Sequence, residues 1–166
     1  GFTAGLAVYR MIQNGQEPSK GPILVSGATG GVGGFSTQIL SFLGYEVEVV
    51  THREGYKEYL MSLGANKIHK YDELFKFTPR PLEKGIFGGV IDNLGGDFLE
   101  QVLPFVNLWG NVACIGLAKG SSFSTTVMPF ILRGVSLLGA SSNNCTMEVR
   151  KEIWSLLAND WKVKKL

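Results

Sequence analysis

A run of closely spaced glycines is the part of this sequence whose residue types and spacing best suit a chemical task. The run comprises Gly27, Ala28, Thr29, Gly30, Gly31, Val32 and Gly33. It lies between a short apolar segment, which predicts a strand, and a segment of helical periodicity. A strand, a glycine turn and a helix in this order create an anion-binding site, because the unpaired amides at the start of the helix point at a phosphate. We expect Gly30 to let a pyrophosphate approach the backbone, Gly33 to bring the helix close to the strand, and Ala28 to fill the small position.

The spacing of these glycines does not by itself select one class of dinucleotide-binding protein. The run satisfies Ala-x-Gly-x-x-Gly, Gly-x-x-Gly-x-x-Gly and Gly-x-x-x-Gly-x-Gly together, which leaves three dehydrogenase-like superfamilies open. A P-loop is excluded, because no Gly-Lys-Ser/Thr follows the glycines. A turn that serves only the tight strand-to-helix geometry is the alternative.

The end of the second predicted strand carries Thr51, His52 and Arg53 where an NAD-binding domain has an acidic residue about 20 positions after the glycines. A hydroxyl followed by a guanidinium suits a ribose 2′-phosphate, because arginine donates two parallel hydrogen bonds to phosphate oxygens. These residues favour NADP(H) as the cofactor. Glu54, one residue later, is acidic and argues against an NADP(H) site. We expect it instead at the start of the next helix, where the helix dipole stabilises a carboxylate. The alternatives are that Arg53 is a solvated surface residue without a cofactor contact, and that the protein uses NAD(H).

Further cofactor contacts are expected at two other strand ends, because ligands of open α/β sheets bind beyond the carboxyl ends of the strands. Asn93 follows the fourth predicted strand, and Gly116 and Leu117 lie at the end of the fifth. Asn93 is the more useful polar candidate. For Asp92, a cofactor contact and a structural role are equally supported, because a side chain at a strand end often caps the helix that follows.

Short apolar runs alternate with segments of helical periodicity along the chain, which is typical of βαβ units. Strands are predicted at residues 23–25, 47–50, 67–70, 89–91, 112–116 and 135–138. Helices are predicted at residues 2–12, 32–43, 55–63, 98–106, 127–132 and 147–158, and residues 71–87 are expected to be mostly loop. The alternation predicts a doubly wound α/β domain of the Rossmann type, with a mostly parallel sheet, helices on both faces and strand order 3-2-1-4-5-6.

The composition indicates one soluble domain over residues 1–166, because 45% of the residues are hydrophobic and 18% are charged. The net charge of +2 is scattered apart from the tail Lys162, Lys164, Lys165, so nothing points to nucleic acid or a membrane as a partner. No apolar stretch is long enough to span a bilayer. Cys114 and Cys145 form neither a metal-ligand pair nor a disulfide framework, which makes a reducing, cytoplasmic location the default.

Two kinds of catalytic group are missing from the sequence. No tyrosine has a lysine four residues later, the pair that short-chain reductases use in proton transfer. The histidines are His52 and His69, and neither lies in a metal-ligand pattern with cysteine. We therefore predict no metal site, assign His69 to a strand surface and name no catalytic residue. Trp109 and Trp154 are expected at core and helix-packing positions rather than on a nucleic-acid stacking surface.

Three segments together resemble the medium-chain dehydrogenase/reductase superfamily, and they are residues 26–33, the helix end Leu63-Gly64-Ala65 and residues 125–133. Within it, the sequence is most similar to the zinc-free quinone oxidoreductase-like branch. More narrowly, residues 80–84 and 126–133 resemble the bacterial NADPH-dependent acryloyl-CoA reductases. The resemblance covers nearly the whole chain.

The resemblance implies which residues contact NADP(H). Contacts to the phosphates are implied at Thr29, Gly30, Gly31 and Val32, contacts to the adenosine ribose phosphate at Thr51, His52 and Arg53, and contacts on the nicotinamide side at Asn93 and at the backbone near Leu137.

The resemblance also implies an activity for a longer parent protein. Such an enzyme would transfer the nicotinamide hydride to the β-carbon of an activated double bond in a small-molecule substrate, such as an acryloyl thioester or a quinone. Members of this family are about twice as long, so residues 1–166 would be an NADP(H)-binding domain that lacks its catalytic domain and is inactive alone. Related enzymes pair through the sixth strand, which implies a homodimer. The competing interpretation is a non-catalytic NADPH-sensing or partner-binding module, because fold does not fix function.

Overall fold

A six-stranded sheet forms the centre of the protein, as seen in a computed structural model that describes residues 1–163; Lys164 and Lys165 of the basic tail lie outside the described residues. The strands are β1 (Ile23–Ser26), β2 (Val47–Thr51), β3 (Lys67–Lys70), β4 (Phe87–Asp92), β5 (Val106–Cys114) and β6 (Ser136–Gly139). Their order is β3-β2-β1-β4-β5-β6, and all neighbouring strands are parallel. The predicted strand order and sheet type are confirmed.

Helices connect the strands on both sides of the sheet. They are α1 (Phe2–Gln13), α2 (Gly31–Phe42), α3 (Lys57–Ser62), α4 (Tyr71–Leu74), α5 (Gly96–Val102), α6 (Met128–Arg133) and α7 (Met147–Ala158), with short 3-10 turns at Pro18–Lys20 and Leu103–Phe105. Within residues 1–163, no helix is both long enough and apolar enough to cross a membrane.

Both faces of the sheet are buried. Ile23 and Val25 of β1 join a core with residues of α1 and α2, whereas Leu24 between them joins a second core with residues of α5. All four residues of β1 are buried, as expected for the central strand of a parallel sheet between two helix layers. The direction of strand order changes at β1, so the topological switch point lies at the glycine run that follows this strand.

The fifth strand begins earlier than the apolar pattern predicted. The α-helical part of this region ends at Val102, and Pro104 lies in the 3-10 turn that follows. Proline has no amide hydrogen to continue an α-helix, which explains why the helix does not reach the predicted end. β5 therefore starts at Val106 rather than at Val112.

Two tryptophans have different environments. Trp109 lies where the register between β4 and β5 is irregular, has a φ of 59° and is 68% exposed. Trp109 is therefore not a core residue, but its ring lies against Gly134 at the end of α6, which agrees with a helix-packing position. Trp154 on α7 packs against Phe2 of α1, with ring centroids 5.6 Å apart, which agrees with a helix-packing position.

Candidate functional site

The glycine run turns the chain from β1 into α2 with very little space between them. Gly27 has a φ of 61°, which glycine adopts without strain, and the Gly30 amide donates to the Gly27 carbonyl at 2.9 Å. A Cβ at position 33 would lie 2.7 Å from the Cα of Ala28, so only glycine lets α2 approach the turn this closely. A Cβ on Gly31 would meet nothing within 4 Å, so the space beside the first turn is open.

The amino end of α2 is free to bind an anion. Gly30 is the N-cap residue, and glycine has no side chain with which to cap the helix. The first amides of a helix have no partner within it, and the helix dipole adds positive charge at this end. Thr29, Gly30, Gly31 and Val32 are at least partly exposed around it, whereas Ala28 and Gly33 are buried. The former can contact a phosphate, and the latter two shape the turn by packing.

A hydrogen-bond network joins the glycine run to the loop after β4. The Ser26 hydroxyl donates to Asp92 Oδ1 at 3.2 Å and accepts from the Asn93 amide at 2.8 Å. The Asn93 side chain donates to the Ser26 carbonyl at 2.7 Å. Asp92 also accepts from the amides of Leu94 and Gly95. Burial raises the pKa of Asp92, and these bonds oppose the shift. Asp92 is fully buried, so it caps loop amides, and Asn93 is the more accessible of the two.

The end of β2 presents an arginine that forms no ion pair within the part of the chain that the structure describes. The Thr51 hydroxyl accepts from the Arg53 amide at 3.0 Å, which bends the chain at the strand tip. The Arg53 guanidinium lies 5.8 Å from the centre of the Tyr56 ring. Its positive charge is therefore available to a ligand.

Glu54 does not occupy the position expected for it. Helix α3 begins later, at Lys57, because Gly55 has a φ of 81° that a right-handed helix does not accommodate. The Glu54 carboxylate lies 3.6 Å from Lys70 Nζ. The acidic group that opposed a 2′-phosphate is thus paired with a lysine of the neighbouring strand.

A cavity of about 860 Å³ opens at the tips of β2 and β3, lined in part by Thr51, His52, Arg53 and Tyr71. The His52 ring stacks on Tyr71 with centroids 4.4 Å apart, and Lys119 Nζ lies 3.6 Å from the centre of the Tyr71 ring. The Tyr71 hydroxyl is buried without a hydrogen-bond partner among the described residues. Burial raises the pKa of Tyr71, and the Lys119 ammonium opposes that shift.

Tyr71 and Lys119 were not among the residues predicted from sequence. The available signal for Tyr71 was its position directly after β3, at the same sheet edge as Thr51. Lys119 lies in the loop after β5, and only the folded loop brings it to Tyr71. That loop approaches the start of α5 through a bridge between Gly95 and Gly120.

A second cavity, of about 400 Å³, opens at the ends of β4, β5 and β6. Gly116, Leu117 and Leu137 line it, together with Phe123 and Cys114. Burial, together with the nearby charge of Asp92, raises the pKa of Cys114 to about 12, so this residue is a thiol and not a nucleophile at neutral pH. The apolar wall suits an uncharged group better than a phosphate.

The predicted residues therefore form a row along one edge of the sheet. The strand order places the end of β2 beside the end of β1, followed by the ends of β4, β5 and β6. A cation, free helix amides and an apolar cavity succeed one another in that order. The row can accommodate a ligand with a phosphate at one end, a central pyrophosphate and an uncharged ring at the other end.

Comparison with known families identifies the group of proteins that shares this arrangement. The zinc-binding dehydrogenase family profile matches residues 31–159. The chain belongs to the zinc-binding dehydrogenase family. The resemblance noted in the sequence is confirmed.

Individual proteins match all or nearly all of this chain. The acrylyl-CoA reductase AcuI of Ruegeria pomeroyi is 45% identical over 166 residues, which are 100% of this chain and 50% of that protein. The structure of Bacillus subtilis YhfP with NAD bound has a TM-score of 0.95 and 42% identity, over 98% of this chain and 50% of that one. The structure of the Salmonella enterica YhdH oxidoreductase with NADP has a TM-score of 0.92 and 45% identity, over 97% and 49%. The chain spans about half the length of the curated relatives it matches.

The family description names zinc, but the donor groups described here do not fit a zinc ion. Across residues 1–163, no three His, Cys, Asp or Glu side chains lie close enough together to hold a metal. His69 is mostly buried, and its Nε2 contacts the Glu48 carboxylate, while its ring meets the edge of Phe87. His69 thus lies on β3, where it is only partly exposed and contacts side chains of β2 and β4.

Proposed function

We propose that this chain is the NADP(H)-binding domain of an oxidoreductase that reduces an activated carbon–carbon double bond by hydride transfer. The observation that carries the proposal is Arg53, whose guanidinium has no carboxylate partner among the described residues and lines an open cavity. A free guanidinium at this strand tip suits a ribose 2′-phosphate, whereas NAD(H) requires an acceptor there. Thr51 and His52 complete this end of the cofactor site.

The other parts of the cofactor follow the row along the sheet edge. In this proposal the pyrophosphate binds at the open amino end of α2, against Thr29, Gly30, Gly31 and Val32. Ala28 and Gly33 contribute by setting the turn. The nicotinamide lies towards the second cavity, near Asn93, Gly116, Leu117 and Leu137.

We further propose that the substrate is a small molecule such as an acryloyl thioester or a quinone. Support comes from the name of AcuI, which shares 45% identity with the full length of this chain. Residues 1–166 then form the cofactor domain, and the catalytic groups belong to the half of the relatives that this chain does not span. The chain alone should have negligible turnover, because half a cleft neither orients substrate nor excludes water. Reduction of acryloyl-CoA by the 166-residue chain would contradict this division.

The cofactor assignment is tested by measuring NADPH and NADH affinity for the wild type and for Arg53→Ala. Charged hydrogen bonds contribute about 1.5–3 kcal/mol, so the substitution should weaken NADPH binding by about 10- to 100-fold and NADH binding by less than about two-fold. Lys151→Ala removes one exposed positive charge from α7, far along the chain from the sheet edge, and is the matched control. Equal weakening of both cofactors by Arg53→Ala would exclude the 2′-phosphate assignment.

An NAD-linked reductase is the second candidate, because the YhfP structure contains NAD. Under this alternative Glu54 leaves Lys70 and accepts the ribose hydroxyls. The wild-type chain should then bind NADH more tightly than NADPH. A Glu54→Gln variant would weaken NADH binding, whereas under the NADP(H) proposal it leaves NADH unchanged.

We also propose that the protein pairs as a homodimer through β6 and is cytoplasmic. Among residues 1–163, β6 pairs with β5 alone, and α6, which leads into it, exposes Ile131 and Leu132. An open strand edge flanked by apolar side chains is a template for a second copy. Both described cysteines are free, which agrees with a reducing compartment. Sedimentation should show a dimer that Ile131→Glu dissociates, and a monomeric wild type at micromolar concentration would contradict pairing.

A further inference from the structure

Arg53 is held by an aromatic side chain that does not itself line the cavity. The guanidinium lies 5.8 Å from the centre of the Tyr56 ring, within the range of a cation–π interaction. Tyr56 is the N-cap residue of α3 and is 38% exposed. The cavity at the tips of β2 and β3 includes Arg53, Glu54, Gly55 and Lys57 in its wall but not Tyr56. Tyr56 can therefore influence a ligand there through Arg53 rather than by touching it.

The Tyr56 ring packs against Tyr59, which in turn approaches α2. Tyr59, one turn later, meets it edge to face with centroids 6.3 Å apart. The Tyr59 hydroxyl reaches α2, where it lies 3.6 Å from the position of a Cβ built on Gly34. Arg53, Tyr56 and Tyr59 thus form a series of side-chain contacts that ends at α2.

Among the described residues, the contact with the Tyr56 ring is the main restraint on the Arg53 guanidinium. Glu54 is turned to Lys70, with 3.6 Å between Oε1 and Nζ. The Thr51 hydroxyl holds the Arg53 backbone but not its side chain. An exposed arginine otherwise samples many rotamers, and ordering it on binding costs affinity.

We propose that Tyr56 is a positioning residue that holds Arg53 towards the adenosine 2′-phosphate and thereby increases the preference for NADP(H) over NAD(H). This inference rests on the proposed function, because it needs NADPH to bind at the tip of β2. NAD(H) has no 2′-phosphate to meet Arg53, so its affinity does not depend on Tyr56.

The experiment measures the dissociation constants of NADPH and NADH for the 166-residue chain and its variants by cofactor fluorescence. Tyr56→Ala should weaken NADPH binding by about two- to five-fold, the magnitude of an exposed cation–π contact, and leave NADH unchanged. Tyr56→Phe keeps the ring and should restore wild-type NADPH affinity. Phe42→Ala removes another exposed aromatic ring, at the far end of α2, and controls for general loss of apolar surface.

A double-mutant cycle separates positioning from a structural effect. In the Arg53→Ala background, Tyr56→Ala should have no further effect on NADPH, because the side chain it positions is absent. Additive losses, or equal weakening of NADPH and NADH by Tyr56→Ala, would overturn the role of Tyr56 while leaving the proposed function intact. Failure of the wild-type chain to bind NADPH would overturn both.

Discussion

Replacement of Gly33 by alanine should destabilise the fold far more than the same replacement at Gly31, two residues earlier in the same helix. A methyl group at position 33 would lie 2.7 Å from the Cα of Ala28 and 2.8 Å from the carbonyl carbon of Gly27. Carbon atoms prefer separations of about 3.5–4.0 Å, so the overlap is about 1 Å. Both opposing atoms are backbone and cannot rotate away, so α2 must move off the turn.

The magnitude follows from the cost of overpacking. Such substitutions cost about 1–3 kcal/mol, and the backbone contacts place Gly33→Ala near 3 kcal/mol, with a fall in Tm of roughly 6–12 °C for a chain of this size. Gly31→Ala should leave the free energy of unfolding unchanged or raise it by up to about 1 kcal/mol, because its methyl would meet nothing within 4 Å and alanine restricts the unfolded chain.

Urea denaturation followed by circular dichroism measures both variants. Gly33→Ala should lower the midpoint without changing the m-value, and Gly31→Ala should give a midpoint equal to or above that of the wild type. Equal midpoints for the two variants would refute the argument that close packing, rather than glycine content, determines this turn.

Three further predictions concern buried groups. The pKa of Asp92 is raised by burial, so the folded chain binds more protons there than the unfolded chain, and the stability of Asp92→Asn relative to wild type should grow as the pH rises above the unfolded-state pKa of about 4; a difference independent of pH would contradict this. Iodoacetamide at about pH 8 should modify Cys145 and spare Cys114, whose pKa of about 12 leaves roughly one thiolate in 10,000, and equal labelling in mass spectra would exclude that pKa. Tyr71→Phe removes a buried hydroxyl without a described partner and should raise the free energy of unfolding by about 1 kcal/mol; a loss measured in urea would show a missing partner.

The topology was predictable because it depends on local patterns and on general rules of chain geometry. Apolar runs separated by helical segments predict parallel strands, and right-handed crossovers with a switch point after β1 lead to the observed strand order. The glycine run was predictable for the same reason, since its constraint lies within seven adjacent residues. The packing roles expected for Ala28 and Gly33 agree with the structure.

Other features depended on contacts between distant parts of the chain. The pairing of Glu54 with Lys70 needs β3 to lie beside β2, and the approach of Lys119 to Tyr71 needs the loop after β5 to fold over α5. The contact of His69 with Glu48 likewise needs β3 to lie beside β2.

The sequence by itself thus determined the sheet, the switch point and the residue types at each strand end. The tertiary structure decided which of those residues are free to meet a ligand. The Asp92 carboxylate accepts hydrogen bonds from backbone amides, whereas Arg53 forms no ion pair within the described chain and Glu54 lies beside Lys70 of another strand. The physical reason is that local sequence sets backbone conformation, while the partner of a charged side chain is set by whatever the fold brings within a few ångströms of it.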